Sequence, residues 1–339
     1  MKRRTLLKNS AILSMGSLFI TTDMYGHRSG PVYGHNNMKY RMDAGWGTLD
    51  PAFHPVNDCH EMIQDAKGRI FLLTNETRNN VLVYSTSGKL KEAWGHEYPG
   101  AHGLTLWGDE LFITDTSRHQ VYKTSLDGKL IMTIDWPGES GVYTKAEEFV
   151  PTEVAVADNG DFYIADGYGA QYVLQYDKTG KLKSFFGGRG EGDQHLDNAH
   201  GICLDRRSGN VTLLVTDRTR NAFKRFDMNG KLLEVIQLPG ACVCRPVIKG
   251  EYLYAAVLRS PDLGAEGTGF VTILDANNKV VSNIGGTEPV YRADGTLQPM
   301  AQAEKIFVHP HDVCVDRDDN IYVAQWASGK VYPYKFIRV

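Results

Sequence analysis

The sequence lacks an excess of charge of either sign. Its 37 Lys and Arg residues and 40 Asp and Glu residues give a formal net charge of −3. Nucleic-acid-binding proteins usually carry a basic patch or stripe, so this balance gives no support for a nucleic-acid partner. The 339 residues include only five cysteines. Because five is odd, a framework in which every cysteine is paired is excluded.

Long apolar runs are also scarce. An apolar run over residues 11–20 is too short to span a bilayer, and it follows the basic residues 2–8, which contain Arg3-Arg4. A twin-arginine pattern before such a run is typical of an export signal, and the alternative is a basic N-terminal helix. We expect residues 1–30 to be an export signal and linker. The mature chain would then be periplasmic or secreted, with no membrane span.

Segments with helical periodicity are missing too. The glycines of residues 187–190 resemble a phosphate loop only loosely, because no helix follows them. Instead, a unit of short runs rich in β-branched and aromatic residues recurs, with Gly or Asn/Asp turns between the runs. The units begin near residues 60, 102, 152, 200, 245 and 311. A four-stranded repeat of about 40–50 residues is typical of a propeller blade. We predict an all-β, six-bladed β-propeller of the NHL-repeat type over residues 38–339.

The last unit has no obvious final strand. Residues 39–47 end in Trp46-Gly47, as the first unit ends in Trp94-Gly95. Circular closure also avoids the two bare edges that a linear stack of sheets would leave. We therefore predict that this N-terminal strand completes the C-terminal blade.

Histidines recur at the start of the repeated units. His102, His200 and His311 each precede alternating apolar residues, and His60 has a similar position in the first unit. The first strand of a blade lines the central channel, so these side chains should meet at one end of the axis. Three imidazoles with an open fourth position form a catalytic zinc site. The alternative is a set of hydrogen-bonded channel histidines.

Beyond these histidines, residues 95–337 resemble the lyase domain of peptidylglycine α-amidating enzymes, a six-bladed propeller with NHL-type repeats. The stretches that carry the resemblance are His102-Gly-Leu with Thr114-Asp115, His119-Gln-Val-Tyr-Lys, Pro151-Thr-Glu-Val-Ala-Val, Ala165-Asp-Gly-Tyr168, His200 with Thr216-Asp-Arg218, and Pro310-His-Asp-Val. That family cleaves the C–N bond of an α-hydroxyglycine to give an amide and glyoxylate.

The resemblance implies specific roles. The family's zinc ligands fall on His102, His200 and His311. Its catalytic tyrosine falls on Tyr168 and a substrate-site arginine on Arg218, so both are catalytic candidates; the alternatives are a rim aromatic and a blade-edge ion pair. The resemblance also implies calcium, with ligands that fall on Asp312 and the Leu104 carbonyl. Asp312 could instead cap its strand.

The chain departs from the family at several positions. The family has an essential arginine near the strand that contains Leu72-Leu73-Thr74 here, and Arg78 lies close to that position without sharing its register. His60 is an addition, and Arg245 occupies the strand entry of the fifth unit. We interpret Arg78, Arg245 and His60 as candidate substrate-binding residues. His60 could also be a fourth metal ligand.

Three functions remain open from the sequence. The first is an exported zinc lyase acting on a small-molecule, peptide or sugar substrate. The second is a non-catalytic NHL propeller that binds a protein or glycan partner. The third is a calcium-dependent hydrolase of the lactonase type, which the small number of axial carboxylates disfavours: Glu61, Glu153 and Asp312. In each case we expect a monomer.

Overall fold

Short strands joined by tight turns build six antiparallel sheets. The computed structural model describes residues 30–339, so the predicted export signal at residues 1–30 lies almost entirely outside the described residues. A typical turn is the one around Asp227, whose carboxylate accepts the N–H groups of Asn229 and Lys231, both at 2.9 Å. Gly230 supplies the positive φ of 85° that this turn requires.

Five of the sheets are four-stranded blades formed by consecutive strands. Blade 1 consists of β3 (Cys59–Gln64), β4 (Ile70–Thr74), β5 (Val81–Tyr84) and β6 (Leu90–Trp94). Blade 2 consists of β7 (Ala101–Trp107), β8 (Glu110–Asp115), β9 (Gln120–Ser125) and β10 (Leu130–Ile134). Blade 3 consists of β11 (Glu153–Val156), β12 (Phe162–Ala165), β13 (Tyr172–Tyr176) and β14 (Leu182–Gly187). Blade 4 consists of β15 (Ile202–Asp205), β16 (Thr212–Asp217), β17 (Ala222–Phe226) and β18 (Leu232–Gln237). Blade 5 consists of β19 (Val247–Lys249), β20 (Tyr252–Val257), β21 (Phe270–Leu274) and β22 (Val280–Ile284).

Blade 6 joins the two ends of the described chain. Its strands, from the outer edge inward, are β1 (Val32–His35), β2 (Met38–Asp43), β25 (Tyr334–Arg338), β24 (Ile321–Gln325) and β23 (Pro310–Val315). Strand β2 pairs with β25 in the register Tyr40 to Arg338. The predicted closure by an N-terminal strand is therefore confirmed, as is the six-bladed all-β fold. The blade begins earlier than residue 38, because β1 adds a fifth strand.

The hydrophobic core lies between neighbouring blades. Between blades 1 and 6, for example, buried Met62 and Leu72 pack with Tyr322 and Ala324. Packing of this kind links each sheet to the next around the ring and fixes the inner strands β3, β7, β11, β15, β19 and β23 around the axis.

Helical structure is limited in the described part of the chain. Three 3-10 helices are present at Gly138–Ser140, Ala146–Glu148 and Arg218–Arg220. No helix between residues 30 and 339 has the length and apolar character needed to cross a membrane.

Candidate metal centre

Four histidine rings meet at one end of the central channel. The rings of His102 and His311 lie 5.0 Å apart, centroid to centroid. His60 lies 4.9 Å from His102 and 4.8 Å from His311. On the other side, His200 lies 4.7 Å from His102 and 4.8 Å from His311. All four are buried. The structure thus brings together the three histidines predicted to bind zinc and His60, which the sequence offered as a fourth ligand or a substrate contact.

Three of these histidines occupy irregular positions in their strands. The pairing register shifts between Cys59 and Glu61 around His60, between Ala101 and Leu104 around His102, and between Pro310 and Asp312 around His311. A β-bulge re-aims the side chain of the extra residue, and bulges are over-represented next to functional sites. The irregularity at each strand entry therefore coincides with the side chain that points into the channel.

The hydrogen bonds of two histidines fix their tautomers. Nδ1 of His102 lies 2.9 Å from the carbonyl oxygen of Thr152, and Nδ1 of His311 lies 3.0 Å from the carbonyl oxygen of His60. A carbonyl oxygen only accepts, so each Nδ1 carries the proton and donates it. Each Nε2 therefore carries no proton and has a lone pair that can accept a hydrogen bond or ligate a metal ion. This arrangement is typical of metal-ligating histidines, whose second ring nitrogen is held by an acceptor.

The remaining two histidines have nitrogen atoms without hydrogen-bond partners. Nδ1 of His60 and both ring nitrogens of His200 are buried and unsatisfied. A buried polar nitrogen without a partner is costly, and a bound metal ion removes that cost for a nitrogen that ligates it. One ring nitrogen from each of His60, His102 and His311 lies within 4.8 Å of the others. These three buried residues can therefore hold one metal ion.

Burial keeps the four imidazoles neutral. It lowers the pKa of His60 to about 3 and the pKa values of His102, His200 and His311 well below the ordinary value. The positive charge of Arg218 lowers all four pKa values further. A metal ion binds the neutral form of imidazole, so the cluster is ready to ligate without losing protons.

Tyr168 lies directly beside the histidine cluster. Its hydroxyl is 3.2 Å from Nε2 of His102, to which it donates, and its ring is 5.6 Å from that of His200. The residue as a whole is 41% exposed. Tyr168 therefore spans from the buried cluster to solvent, where it borders a cavity of about 480 Å³ that also includes Val142 and Ala170.

The turn that presents Tyr168 is built around a buried carboxylate. Asp166 accepts the N–H groups of Val150 at 2.7 Å and Ala170 at 2.6 Å, and the hydroxyl of Tyr143 at 2.7 Å. Burial raises the pKa of Asp166 to about 6, and these hydrogen bonds oppose that rise. The sequence indicated Asp166 only as part of the Ala165-Asp-Gly-Tyr168 stretch. Its role in fixing the turn follows from contacts to residues distant in sequence.

Arg218 is buried close to Tyr168. Its Nε donates to the carbonyl oxygen of Val243 at 3.2 Å, and its Nη2 lies 3.1 Å from Sγ of Cys244. Burial raises the pKa of the Tyr168 hydroxyl, and the charge and hydrogen bonding of Arg218 oppose that rise. The two predicted catalytic residues are therefore neighbours and are electrostatically linked. Their roles in a reaction remain predictions.

Arg245 occupies the place where calcium was expected. Its Nε and Nη2 donate to the Asp312 carboxylate at 3.0 and 2.7 Å, and its Nη1 donates to the Leu104 carbonyl oxygen at 3.2 Å. Asp312 and Leu104 are the two residues that the resemblance assigned to calcium. Because the guanidinium already binds both, these residues do not fit a calcium ion. The same contacts hold Arg245 within the channel wall, and its predicted role in substrate binding stays a prediction.

Arg78 lies apart from these contacts. It is in the connection between β4 and β5, its side chain is 61% exposed, and its Nε lies 3.4 Å from the Glu76 carboxylate. No described contact links it to the histidines, so its predicted role in substrate binding stays a prediction.

The comparisons with known proteins agree with this architecture. No family model matches the chain. It is similar to peptidyl-alpha-hydroxyglycine alpha-amidating lyase 1 of Drosophila melanogaster, with 27% identity over 277 residues, covering 73% of this chain and 47% of the fly protein. The match thus spans about half the length of that relative. The chain is also similar to human NHL repeat-containing protein 3, with 26% identity over 313 residues, covering 87% of this chain and 84% of the human protein.

Solved structures share the fold at low identity. A streptogramin B lyase aligns over 84% of this chain and 94% of its own, with a TM-score of 0.56 and 14% identity. A gluconolactonase of Xanthomonas campestris aligns over 91% of this chain and 97% of its own, with a TM-score of 0.59 and 10% identity. The chain is therefore a six-bladed propeller with distant homologues among amidating lyases and NHL-repeat proteins.

Proposed function

We propose that this protein is a zinc-dependent lyase that cleaves the C–N bond of an α-hydroxyglycine or a similar carbinolamine. The observation that carries the proposal is the Tyr168 hydroxyl 3.2 Å from Nε2 of His102, inside a group of buried histidines with unsatisfied nitrogens. The similarity to the fly amidating lyase supports the substrate class. The actual substrate could be a peptide, a sugar derivative or another small molecule that contains this carbon centre.

His102, His311 and either His60 or His200 would hold the zinc ion. The soft-to-borderline character of imidazole nitrogen favours zinc over calcium or magnesium, which prefer oxygen. When bound, zinc acts as a Lewis acid that makes a coordinated hydroxyl more acidic. A set of three histidines would match the number of protein ligands that catalytic zinc sites use.

The protein side chains supply the proton transfer and the orientation. With zinc bound beside it, Tyr168 would lose its proton more easily, against the rise in pKa that burial causes, and as a phenolate it would accept the proton of the substrate hydroxyl. The C–N bond then breaks, the electron pair of the O–H bond forms the C=O bond of the aldehyde, and the electron pair of the C–N bond leaves with the amide nitrogen. Tyr168 returns the proton to that nitrogen, so the products are an amide and glyoxylate. Arg218 holds the substrate carboxylate through charge-assisted hydrogen bonds.

The test combines metal analysis with an assay for glyoxylate. Protein purified without a histidine tag is expected to contain about one zinc ion per chain and to convert N-benzoyl-α-hydroxyglycine into benzamide and glyoxylate. If the protein binds zinc but releases no glyoxylate, the proposed metal site is supported and the proposed substrate class is wrong. If the protein binds no metal, the proposal of a zinc-dependent lyase is wrong. Binding to a protein or glycan partner would then be the better proposal, and the similarity to the human NHL-repeat protein supports it.

We also propose that the protein works outside the cytoplasm as a monomer. The twin-arginine pattern at Arg3-Arg4 supports export. The test is a fusion of residues 1–30 to a folded reporter, which should reach the periplasm or medium only when both arginines are present. Replacement of both by lysine is the matched control because it keeps the charge. Sedimentation of the mature chain tests the oligomeric state.

A further inference from the structure

The channel also contains a charged group, the guanidinium of Arg245, whose hydrogen-bond partners lie one or two residues after the histidines in their strands. The guanidinium of Arg245 is surrounded by three buried carboxylates. Besides its two hydrogen bonds to Asp312, its Nη1 lies 3.6 Å from the Glu61 carboxylate and its Nε lies 3.7 Å from the Glu153 carboxylate. It also donates from Nη2 to the Met62 carbonyl oxygen at 3.0 Å. Three carboxylates and two carbonyl oxygens around one cation resemble the oxygen cage of a calcium site.

The residues bound by Arg245 belong to the strands that carry the histidines. Met62 is two residues after His60 in β3, and Leu104 is two residues after His102 in β7. Asp312 directly follows His311 in β23. One guanidinium thus binds each of the three strands whose histidines form the candidate metal group. A shift of any one strand would break a hydrogen bond to Arg245 as well as move a histidine.

The carboxylates themselves link neighbouring blades. Asp312 of blade 6 accepts the Met62 N–H of blade 1 at 2.8 Å, and Glu61 of blade 1 accepts the Leu104 N–H of blade 2 at 2.7 Å. Glu153 of blade 3 accepts the hydroxyl of Thr105 at 2.7 Å, but its Oε2 is buried without a hydrogen bond. Three carboxyl groups therefore face the one guanidinium from several sides.

We propose that Arg245 takes the structural place of a divalent cation on the propeller axis and positions the three histidine strands. The protein then needs no calcium for stability, and removal of the guanidinium creates a calcium site. The inference does not depend on the proposed lyase activity. It depends on the loss of one positive charge from a buried cage of oxygen atoms, where an unpaired carboxylate is strongly destabilising.

The experiment compares thermal unfolding in a chelator with that in millimolar calcium chloride. The natural protein should unfold at the same temperature in both, within about 1 °C, because no cage is free to bind the ion. Arg245→Ala should unfold at a lower temperature in the chelator and gain about 5 °C or more in calcium, as expected for an ion present far above its Kd. Arg245→Gln is more conservative because it retains a hydrogen-bond donor for Asp312. Its unfolding temperature should also rise in calcium, so it provides the test if the alanine variant does not fold.

Two controls separate this effect from general destabilisation. Arg225 also pairs with carboxylates, at 2.8 Å from Asp205 and 2.9 Å from Glu234, but lies in β17, away from the axis. Arg225→Ala should destabilise the protein without a calcium response. Combining Arg245→Ala with Asp312→Asn should abolish the response of the single variant.

A second readout follows the histidines. In a buffer without chelator and without calcium, the Arg245→Ala variant should bind zinc at least about tenfold more weakly than the natural protein does. Addition of calcium should restore the zinc affinity to that of the natural protein. A calcium-insensitive Arg245→Gln variant would overturn the proposal, as would a natural protein whose unfolding temperature rises in calcium. Neither result bears on whether glyoxylate is formed, so failure of this inference is distinguishable from failure of the proposed lyase.

Discussion

The hydroxyl of Tyr168 lies 3.2 Å from Nε2 of His102, although 66 residues separate the two in sequence. Blade 2 supplies the histidine and the turn after β12 of blade 3 supplies the tyrosine. Because Nδ1 of His102 donates to Thr152, the Tyr168 hydroxyl donates to the lone pair that a metal ion would use. The tyrosine oxygen is therefore adjacent to the coordination sphere of any ion held by His102.

The first prediction concerns this hydroxyl. Tyr168→Phe should bind zinc normally and lose about 10²–10⁴-fold in glyoxylate release, because it removes a proton-transfer group and leaves the ligands in place. Zinc content and turnover are measured on the same sample. The control is Tyr172→Phe, whose ring stacks edge-on against Phe185 and should leave turnover unchanged. Turnover that survives in Tyr168→Phe would remove this residue from the mechanism.

The second prediction separates ligands from other channel histidines. His102→Ala and His311→Ala should each lower the zinc content from about one per chain to below about a tenth, because both rings are shared by the two possible triads. His60→Ala and His200→Ala should differ in zinc content, and the variant that loses more zinc identifies the third ligand. His309→Ala is the control, since that ring contacts Glu266 and Trp326 rather than the cluster. Full zinc content in His102→Ala would show that the ion is elsewhere.

The third prediction tests carboxylate recognition by Arg218. Arg218→Lys keeps the charge but loses the planar pair of donors, so kcat/KM for a substrate with a free carboxylate should fall at least about tenfold. The carboxamide analogue of the substrate supplies the comparison, because the variant and the natural protein should process it at similar rates. An equal fall in kcat/KM for both substrates would show that Arg218 acts through Tyr168 and does not bind the substrate carboxylate.

The fourth prediction is a pH dependence of stability that arises from Asp166. Its pKa is raised to about 6 in the folded protein, so the folded state binds a proton more tightly than the unfolded state. The contribution of this group to the free energy of unfolding is therefore largest below pH 4 and decreases as the pH rises through about 6. The decrease is roughly 3 kcal/mol, because the pKa in the folded protein lies about two pH units above its ordinary value.

The measurement for Asp166 is denaturant unfolding between pH 4 and 7. The buried histidines act in the opposite direction, because their lowered pKa values make the folded state less stable in acid. Comparison with Asp166→Asn isolates the carboxyl group, since the variant keeps the histidines and lacks the titration. Parallel pH profiles for the two proteins would show that Asp166 does not titrate in this range.

The repeat and its closure were predictable because they are encoded locally. The turn residues and β-branched runs recur in the same order in each unit, and Trp46-Gly47 repeats the Trp94-Gly95 ending of the first unit. Strand formation and turn geometry depend on neighbouring residues, so this pattern was sufficient to predict six blades. The same register placed histidines at the strand entries, and their meeting on the axis follows from circular symmetry.

The sequence by itself therefore determined the blades, the closure and the gathering of His60, His102, His200 and His311. Only the tertiary structure decided which nitrogen atoms face one another, because bulges of one residue at the entries of β3, β7 and β23 set those directions. It also decided the position of Arg245, whose long side chain reaches oxygen atoms from three other blades. The spacing of residues along the chain does not predict these contacts of Arg245, because the contacts depend on the geometry of the closed ring.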